Sequence, residues 1–483
     1  MNSEWPVVKL GDYCSKIGSG STPRGGASVY LDIGEVCLIR SQNIYNDGFR
    51  PEGLVYITQD SAEKLKNVVI EHNDILINIT GDSVARVCLA EKEYLPARVN
   101  QHVAIVRPLV AGFDPRYLRY LLISPTMQSL LLTISAVGAT RNALTKNMIE
   151  TLEVVKPPLD IQFEVANNLE SLDKKIQLNR QINQTLESMA QAIFQSWFVD
   201  FDPVKAKIAA REQWQTLTNS ERTEWLNELL NNLLNAQEFL KACLAELTAN
   251  NEHTAIETLY LNIAAMKAIS SRDEKSLAAM PSDEFAKLYK TASLFPERLV
   301  GSELGEIPEG WEVQKLEDSI ELSYGKALKK SDRVDGKFPV YGSGGVTGNN
   351  NESLVDGPGI IVGRKGTVGS LYWEDQSFFP IDTVFYVKPK PDVTLVYVYY
   401  LLQILGLEKM NTDAAVPGLN RNNVYRLVTI KPVSSLITNF SKMVILFRKE
   451  IASNQKEIQS LEAVRDSLLP KLLSGELEIQ SND

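Results

Sequence analysis

Two stretches of the chain carry residues at alternating three- and four-residue spacing. The first puts Leu169, Leu172, Ile176, Asn179, Asn183, Leu186, Ala190, Ile193 and Trp197 on one stripe; the second puts Val444, Phe447, Ile451, Asn454, Ile458, Leu461, Arg465, Leu468 and Leu472 on another. That alternation is the seam of a coiled coil. The registers coincide when the chain is slid onto itself, so Asn179 answers Asn454. A polar Asn at a seam position lowers stability and specifies register; the alternative sets Asn179 at the exposed edge, with Ile182 packing instead. A helix of about 38 residues spans roughly 57 Å at ~1.5 Å per residue. Long helices are stabilised mostly by packing an apolar face. The two are therefore expected to pair, with Pro470 kinking or ending the second near its last turn.

The rest of the chain repeats itself. Trp5-Pro6-Val7-Val8-Lys9-Leu10-Gly11-Asp12 and Trp311-Glu312-Val313-Gln314-Lys315-Leu316-Glu317-Asp318 share W-x-V-x-K-L-x-D. Further matches follow in order. Gly81-Asp82-Ser83-Val84-Ala85 resembles Gly366-Thr367-Val368-Gly369, and Val106-Arg107-Pro108 resembles Val387-Lys388-Pro389. Tyr117-Leu118-Arg119-Tyr120-Leu121-Leu122 resembles Tyr397-Val398-Tyr399-Tyr400-Leu401-Leu402, and Leu144-Thr145-Lys146-Asn147 resembles Leu419-Asn420-Arg421-Asn422. One match arises easily by chance; the ordered series argues for duplication. Two copies are too few for a stacked solenoid. With a two-fold relation the helices run antiparallel and the copies sit at opposite ends of a rod. The expected fold is α+β: two pseudo-symmetric α/β modules separated by two long antiparallel coiled-coil helices, plus a helical insertion. The insertion is read from Trp225, Leu226, Leu229, Leu230, Leu233 and Leu234, a leucine stripe more often a private core than a partner surface.

At about 150 residues per domain, 483 residues suggest about three units. Hydrophobic residues at 44% and charged residues at 23% exclude disorder for the bulk of the chain. No run reaches the ~18 apolar residues of a membrane span; residues 396–407 fall short and are broken by Gln403. Residues 1–5 carry no leader pattern, so secretion is not expected. Cys14, Cys37, Cys88 and Cys243 form no C-x-x-C pair, which argues against a zinc ribbon or disulfide scaffold and fits a reducing cytoplasm. His72, His102 and His253 lack metal-ligand spacing and read as structural or surface residues. The net charge of −10 speaks against a simple nucleic-acid binder. An acidic helical surface, however, can hide a locally basic cleft.

Catalytic patterns are weak. There is no phosphate loop, no G-x-S-x-G elbow and no H-E-x-x-H. Residues 363–369 lack the spacing of a dinucleotide fingerprint. Asp335-Gly336-Lys337 offers one acid, too few for the metals of phosphodiester cleavage. Neither cofactor nor metal is expected. What remains is two sets of glycine-rich polar loops. The first holds Ser21, Thr22, Arg24, Arg40, Gln42, Asn43, Arg141, Asn142 and Lys146. The second holds Lys326, Lys329, Lys330, Arg333, Tyr341, Ser343, Arg364, Lys365, Asn420 and Arg421. Glycines allow close backbone approach. Arg reads guanine edges, Asn and Gln read adenine edges, and Lys and backbone amides hold phosphate. Singly, each residue reads as ordinary solvated loop; as a set occurring twice, DNA contact is favoured. Lys326, Lys329, Lys330 and Arg364 are the expected phosphate contacts, and Asn179 and Asn454 the register pair.

With these motifs the chain resembles the specificity subunits of type I restriction–modification systems. Besides W-x-V-x-K-L-x-D, the resemblance rests on Lys156-Pro157-Pro158, Ser196-Trp197-Phe198-Val199-Asp200-Phe201-Asp202-Pro203 and Gly305-Glu306-Ile307-Pro308-Glu309-Gly310-Trp311. Near the end stands Leu468-Leu469-Pro470-Lys471-Leu472-Leu473-Ser474-Gly475-Glu476-Leu477. Residues 205–294 depart from the pattern, being longer and more helical than the usual connector. The resemblance implies target recognition domains at 1–158 and 301–434, spacer helices at 159–201 and 435–476, a helical insertion and linker at 202–300, and a tail at 477–483. It also implies a chain that is not itself an enzyme. Its two domains would read a bipartite double-stranded DNA target across a spacer of about one duplex turn. Two modification subunits would methylate adenine N6 in each half-site, and restriction subunits would translocate and cleave. The rivals are a protein–protein scaffold without DNA, discriminated by neighbouring genes, and a hidden nuclease, discriminated by Mg²⁺-dependent cleavage from the purified chain.

Overall fold

A computed structural model describes residues 5–23, 25–136, 142–233, 236–248, 252–410 and 418–477. Two compact units emerge: Met1–Gln181 with Asn454–Asp483, and Ile182–Ser453.

In the first unit a four-stranded antiparallel sheet runs Cys14–Ser19, Val103–Pro108, Ile75–Asn78, Val87–Leu89. Ile75–Asn78 is buried along its whole length, as a branched apolar run between two covered faces should be. A second sheet centres on Val36–Ile39, antiparallel to Val55–Ile57 and parallel to Ala97–Val99. Val7–Lys9, from the opening motif, pairs with Glu153–Val155. The helix Pro115–Ile123 starts on an Asp114 cap with proline in its first turn, a pre-organised start. Its Tyr117, Leu118 and Leu121 share one core with Ile75, Ile77 and Val106.

The second unit repeats these three sheets. Its four-stranded sheet runs Ile320–Tyr324, Val384–Pro389, Gly359–Gly363, Leu371–Glu374. Its three-stranded sheet centres on Phe338–Gly342, antiparallel to Gly345–Asn350 and parallel to Phe379–Pro380. Glu312–Lys315 pairs with Val428–Lys431. Even one close approach recurs. A Cβ at Gly20 would overlap the Val99 carbonyl, and one at Gly325 the Ile381 carbonyl.

The long helices are Leu159–Phe198 and Ser434–Ser474. Every seam residue named above is buried or half-buried, and Asn179 and Asn454 are both buried rather than at an exposed edge. They run antiparallel within each unit. In the first, Asp173 meets Arg465 at 3.0 Å and Asn179 donates to Glu457 Oε2 at 2.8 Å. In the second, Arg448 donates to Glu187 at 2.7 Å and Phe194 lies edge-on to Phe440. The helix continues past Pro470 to Ser474 and ends on Gly475 at φ +71°, the left-handed stop that glycine takes without steric cost.

The family motifs acquire reasons here. Trp197 and Phe198 enter the second unit's aromatic core, and Phe201 turns left-handed at φ +58° to start the helix Asp202–Thr216. Trp311 packs edge-on against Phe201. In the first unit a Cβ at Gly475 would meet Trp5 at 2.8 Å. Each opening tryptophan thus caps the end of a long helix.

The insertion follows as helices Asp202–Thr216, Asn219–Asn232, Gln237–Thr248, Glu252–Ser270, Glu274–Ala278 and Ser282–Ala292. Leu229, Leu233, Leu240, Leu259, Ile263, Met266 and Phe285 form its own core; Leu234 lies outside the described residues. No helix among the described residues is long and apolar enough to cross a membrane.

Candidate nucleic-acid interface

Backbone hydrogen bonds gather the candidate loops at one end of each four-stranded sheet. In the first unit Gly20 N donates to Val103 O at 3.1 Å, Ile79 N to His102 O at 2.9 Å, and Leu144 N to Ile79 O at 2.8 Å. These draw together the segments around residues 20–22, 79–82, 100–102 and 142–146. Ser21 and Asn142 are exposed and Thr22 is half-buried. Arg24 and Arg141 lie outside the described residues. Lys146 is exposed and pairs with Glu150 at 3.4 Å.

Arg40, Gln42 and Asn43 sit on the turn Ser41–Asn43, held to the same sheet by Asn78 Nδ2 donating to Ser41 O at 2.8 Å. Arg40 and Gln42 both donate to the Gly53 carbonyl. Asn43 is fully buried. Its Oδ1 accepts from Arg40 N and its Nδ2 donates to Arg50 O and Glu52 O. The sequence nominated Asn43 as a contact residue, but its amide is wholly engaged in shaping the loop.

In the second unit the equivalent bonds are Gly325 N to Val384 O, Arg364 N to Thr383 O and Leu419 N to Arg364 O. Lys326, Lys329, Lys330 and Lys365 are exposed, and Arg333 donates to Thr347 O at 2.7 Å. None of these five cations, nor Arg364 or Arg421, pairs with a carboxylate among the described residues. Arginines that hold the fold behave differently. Arg107 grips Asp74 at 2.6 Å, Arg116 reaches Asp114 and Glu170, and Arg119 and Arg465 share Asp173. Arg364 donates through Nε and Nη2 to the Asp382 carbonyl. Asn420 caps the helix Arg421–Tyr425 by accepting from Asn422 N at 2.9 Å. Ser343 Oγ faces Thr367 N at 3.4 Å, and its carbonyl accepts from Ser370 and Tyr372.

Tyr341, a second nominated contact, is buried and donates to Glu374 Oε2 at 2.8 Å. Burial, then that carboxylate, pushes its phenol pKa up. It serves the core of the second sheet. Two residues beside these loops, Tyr324 at the start of the loop 324–333 and His102, were not among the expected contacts. Tyr324 is half exposed with the guanidiniums of Arg364 and Arg421 against its ring at 5.3 and 5.1 Å. His102 Nδ1 lies 2.6 Å from Thr80 Oγ1 in the matching corner of the first unit. Their signal was position, immediately beside Gly325 and opposite residues 79–82, rather than residue type. No group of three potential metal ligands occurs among the described residues.

The sequence matches the family described as the type I restriction modification DNA specificity domain over residues 2–188 and 308–429. It is 26% identical over 513 residues to the HindI type I restriction enzyme specificity subunit of Haemophilus influenzae, covering 98% of this chain and 100% of that one. It is 22% identical over 486 residues to the MjaIX specificity subunit of Methanocaldococcus jannaschii, covering 99% and 94%. Its fold is similar to the crystal structure of a type I restriction–modification S subunit from M. genitalium, with TM-score 0.54 and 15% identity over 99% of this chain and 98% of that one.

Proposed function

Since this chain belongs to the type I restriction–modification DNA specificity family, we propose that each of its two sheet modules reads one half of a bipartite double-stranded target. The chain confers DNA sequence specificity; it is a specificity subunit that works inside a larger complex. On our reading it contributes address rather than catalysis. The paired helices dock two adenine-N6 modification subunits and set the unread spacer, and restriction subunits add translocation and cleavage. The complex works in the cytoplasm, where cysteines outside any disulfide remain reduced.

One observation carries this reading most strongly. The same sheet frame occurs twice, and each copy gathers polar loops at the same sheet end. In the second copy those loops hold cations without carboxylate partners among the described residues. Unpaired Lys and Arg are what phosphate neutralisation requires. A locally basic face also reconciles DNA binding with the net charge of −10. We assign Lys326, Lys329, Lys330 and Lys365 to phosphate; Arg364, expected there from the sequence, spends its Nε and Nη2 on the Asp382 carbonyl and leaves the contact set. Ser21, Thr22, Arg40, Gln42, Asn142, Lys146, Arg333, Ser343, Asn420 and Arg421 are the remaining contact set. Asn43 and Tyr341 position loops.

The test exchanges residues 1–155 for those of another family member in the intact complex and maps methylated adenines across a genome. One half-site changes and the other persists. A change in both halves defeats independent reading by the modules.

A further inference from the structure

The two modules share a backbone frame but carry different side chains at one corner of it. Leu419 N donates to the Arg364 carbonyl just as Leu144 N donates to that of Ile79, both at 2.8 Å. Gly418 bridges Lys365 as Ala143 bridges Thr80. Gly325 and Gly20 fix the third side. Tyr324 therefore stands where the first module has Ser19, Arg364 where it has Ile79, and Arg421 where it has Lys146.

In the second module these three residues stack and border a cavity of ≈ 370 Å³, together with Gly418, Leu419, Asn420 and Asn422. Arg364 is held flat by two hydrogen bonds to Asp382 O, at 3.3 and 2.7 Å, and by Phe385. Arg421 lies between Tyr324 and Tyr425. It makes no hydrogen bond among the described residues, and its Nε is buried without a partner. Its planar fork is thus oriented by stacking, with no protein partner for its donors among the described residues. In the first module Ile79 offers no donor and Lys146 is paired with Glu150.

We infer that Arg421 reads the O6/N7 edge of a guanine in the half-site bound by the second module, with Tyr324 and Arg364 as positioning residues. At the equivalent corner the first module, with Ser19, Ile79 and Lys146, has no such arginine. A phosphate contact needs charge, which the exposed lysines of residues 326–330 already offer on flexible stems. A guanidinium fixed in plane by two aromatic rings suits a flat partner met edge-on. This inference rests on the function proposed above and deepens it.

The test uses the chain assembled with its methyltransferase partners. Methylated motifs are mapped for wild type, Arg421→Gln, Arg421→Lys and Tyr324→Leu. Binding to duplexes is titrated at several salt concentrations, and thermal unfolding verifies that each variant folds. Arg421→Gln is expected to weaken binding roughly 10- to 100-fold on duplexes with guanine at one position, and little where that base is already replaced. The same position relaxes in the methylation motif, and the other half-site is unchanged. Arg421→Lys keeps the charge, loses the fork and relaxes the same position. Tyr324→Leu does so with an unaltered salt slope. Equal loss on all sequences with a salt slope lower by about one, or full function in Arg421→Lys, makes Arg421 a phosphate contact. Either result overturns the inference while sequence specificity stands. A wild-type complex without any sequence preference overturns the underlying reading as well.

Discussion

Lys207 carries its ammonium into the interior of the second unit, where it donates to Phe295 O at 2.7 Å. Burial, only partly offset by Glu297, lowers its pKa from 10.5 to about 8. Between those values the unfolded chain binds a proton at Lys207 that the folded chain does not, so the contribution of Lys207 to stability rises as pH climbs from about 8 towards 10.5. The rise is on the order of 3 kcal/mol. The difference between the urea-unfolding pH profiles of the wild type and Lys207→Met should show it, since the buried thiols of Cys14 and Cys88, pushed up to about 12, titrate over the same range with the opposite sign and are common to both proteins. At the DNA face a different residue-scale prediction holds. Lys329→Ala should weaken binding about equally on all duplexes and lower the salt slope by about one; a loss confined to one base pair makes Lys329 a reader instead. Residue type states how many hydrogen bonds a side chain can make, whereas the fold decides how many are already made. Asn43 and Tyr341 looked available because their partners, the carbonyls of Arg50 and Glu52 and the carboxylate of Glu374, are brought in by folding. Tyr324 was passed over because nothing local marks a ring that will lie beside Arg364 and Arg421.

Between elements, the first unit depends on one ionic knot. Asp173 on the first long helix accepts from Arg119 at 2.9 Å, Tyr120 at 2.7 Å and Arg465 at 3.0 Å. Burial raises its carboxyl pKa, but the two guanidiniums and the phenol outweigh this and hold it below 3.8. That stabilisation is complete above the unfolded-chain value and is lost as pH falls below it through the folded value. Asp173→Asn leaves two largely buried guanidiniums short of charge and should cost about 3 kcal/mol, read from the urea midpoint at neutral pH; a cost under about 0.5 kcal/mol would show the knot to be ornamental. Gly325→Ala should cost about as much, because the Ile381 carbonyl occupies the place of its Cβ. The helical seams were legible because a helix writes its buried face into local periodicity, and Leu169 through Leu472 kept the positions that spacing assigns. Strand order was not, since Ile75–Asn78 and Val103–Pro108 find each other through pairing that no local pattern records. What could be read was that the chain does the same thing twice, and this holds in both sheets.

For the whole molecule the remaining question is what sets the distance between half-sites. Both long helices contribute a segment to each compact unit, the divisions falling after Gln181 and after Ser453. Seven residues inserted at each division keep the three–four alternation in phase, because a heptad is two turns of the seam. They lengthen each helix by about 10.5 Å, the rise of about three base pairs. If the helices act as a ruler, the double insertion shifts the preferred spacer by about three base pairs and leaves both half-sites as they were. Three base pairs also rotate the far half-site by about 100°, whereas a heptad turns the seam by only ~20°. Methylation should therefore be slower than in the parent complex even at the new spacing. Inserting seven residues into one helix alone puts the Asn179–Glu457 pairing of the first unit out of register with the Glu187–Arg448 pairing of the second and should destabilise the pair without creating a new spacer. A methylation map in which the double insertion keeps the parental spacer would move the ruler elsewhere, to the docked modification subunits.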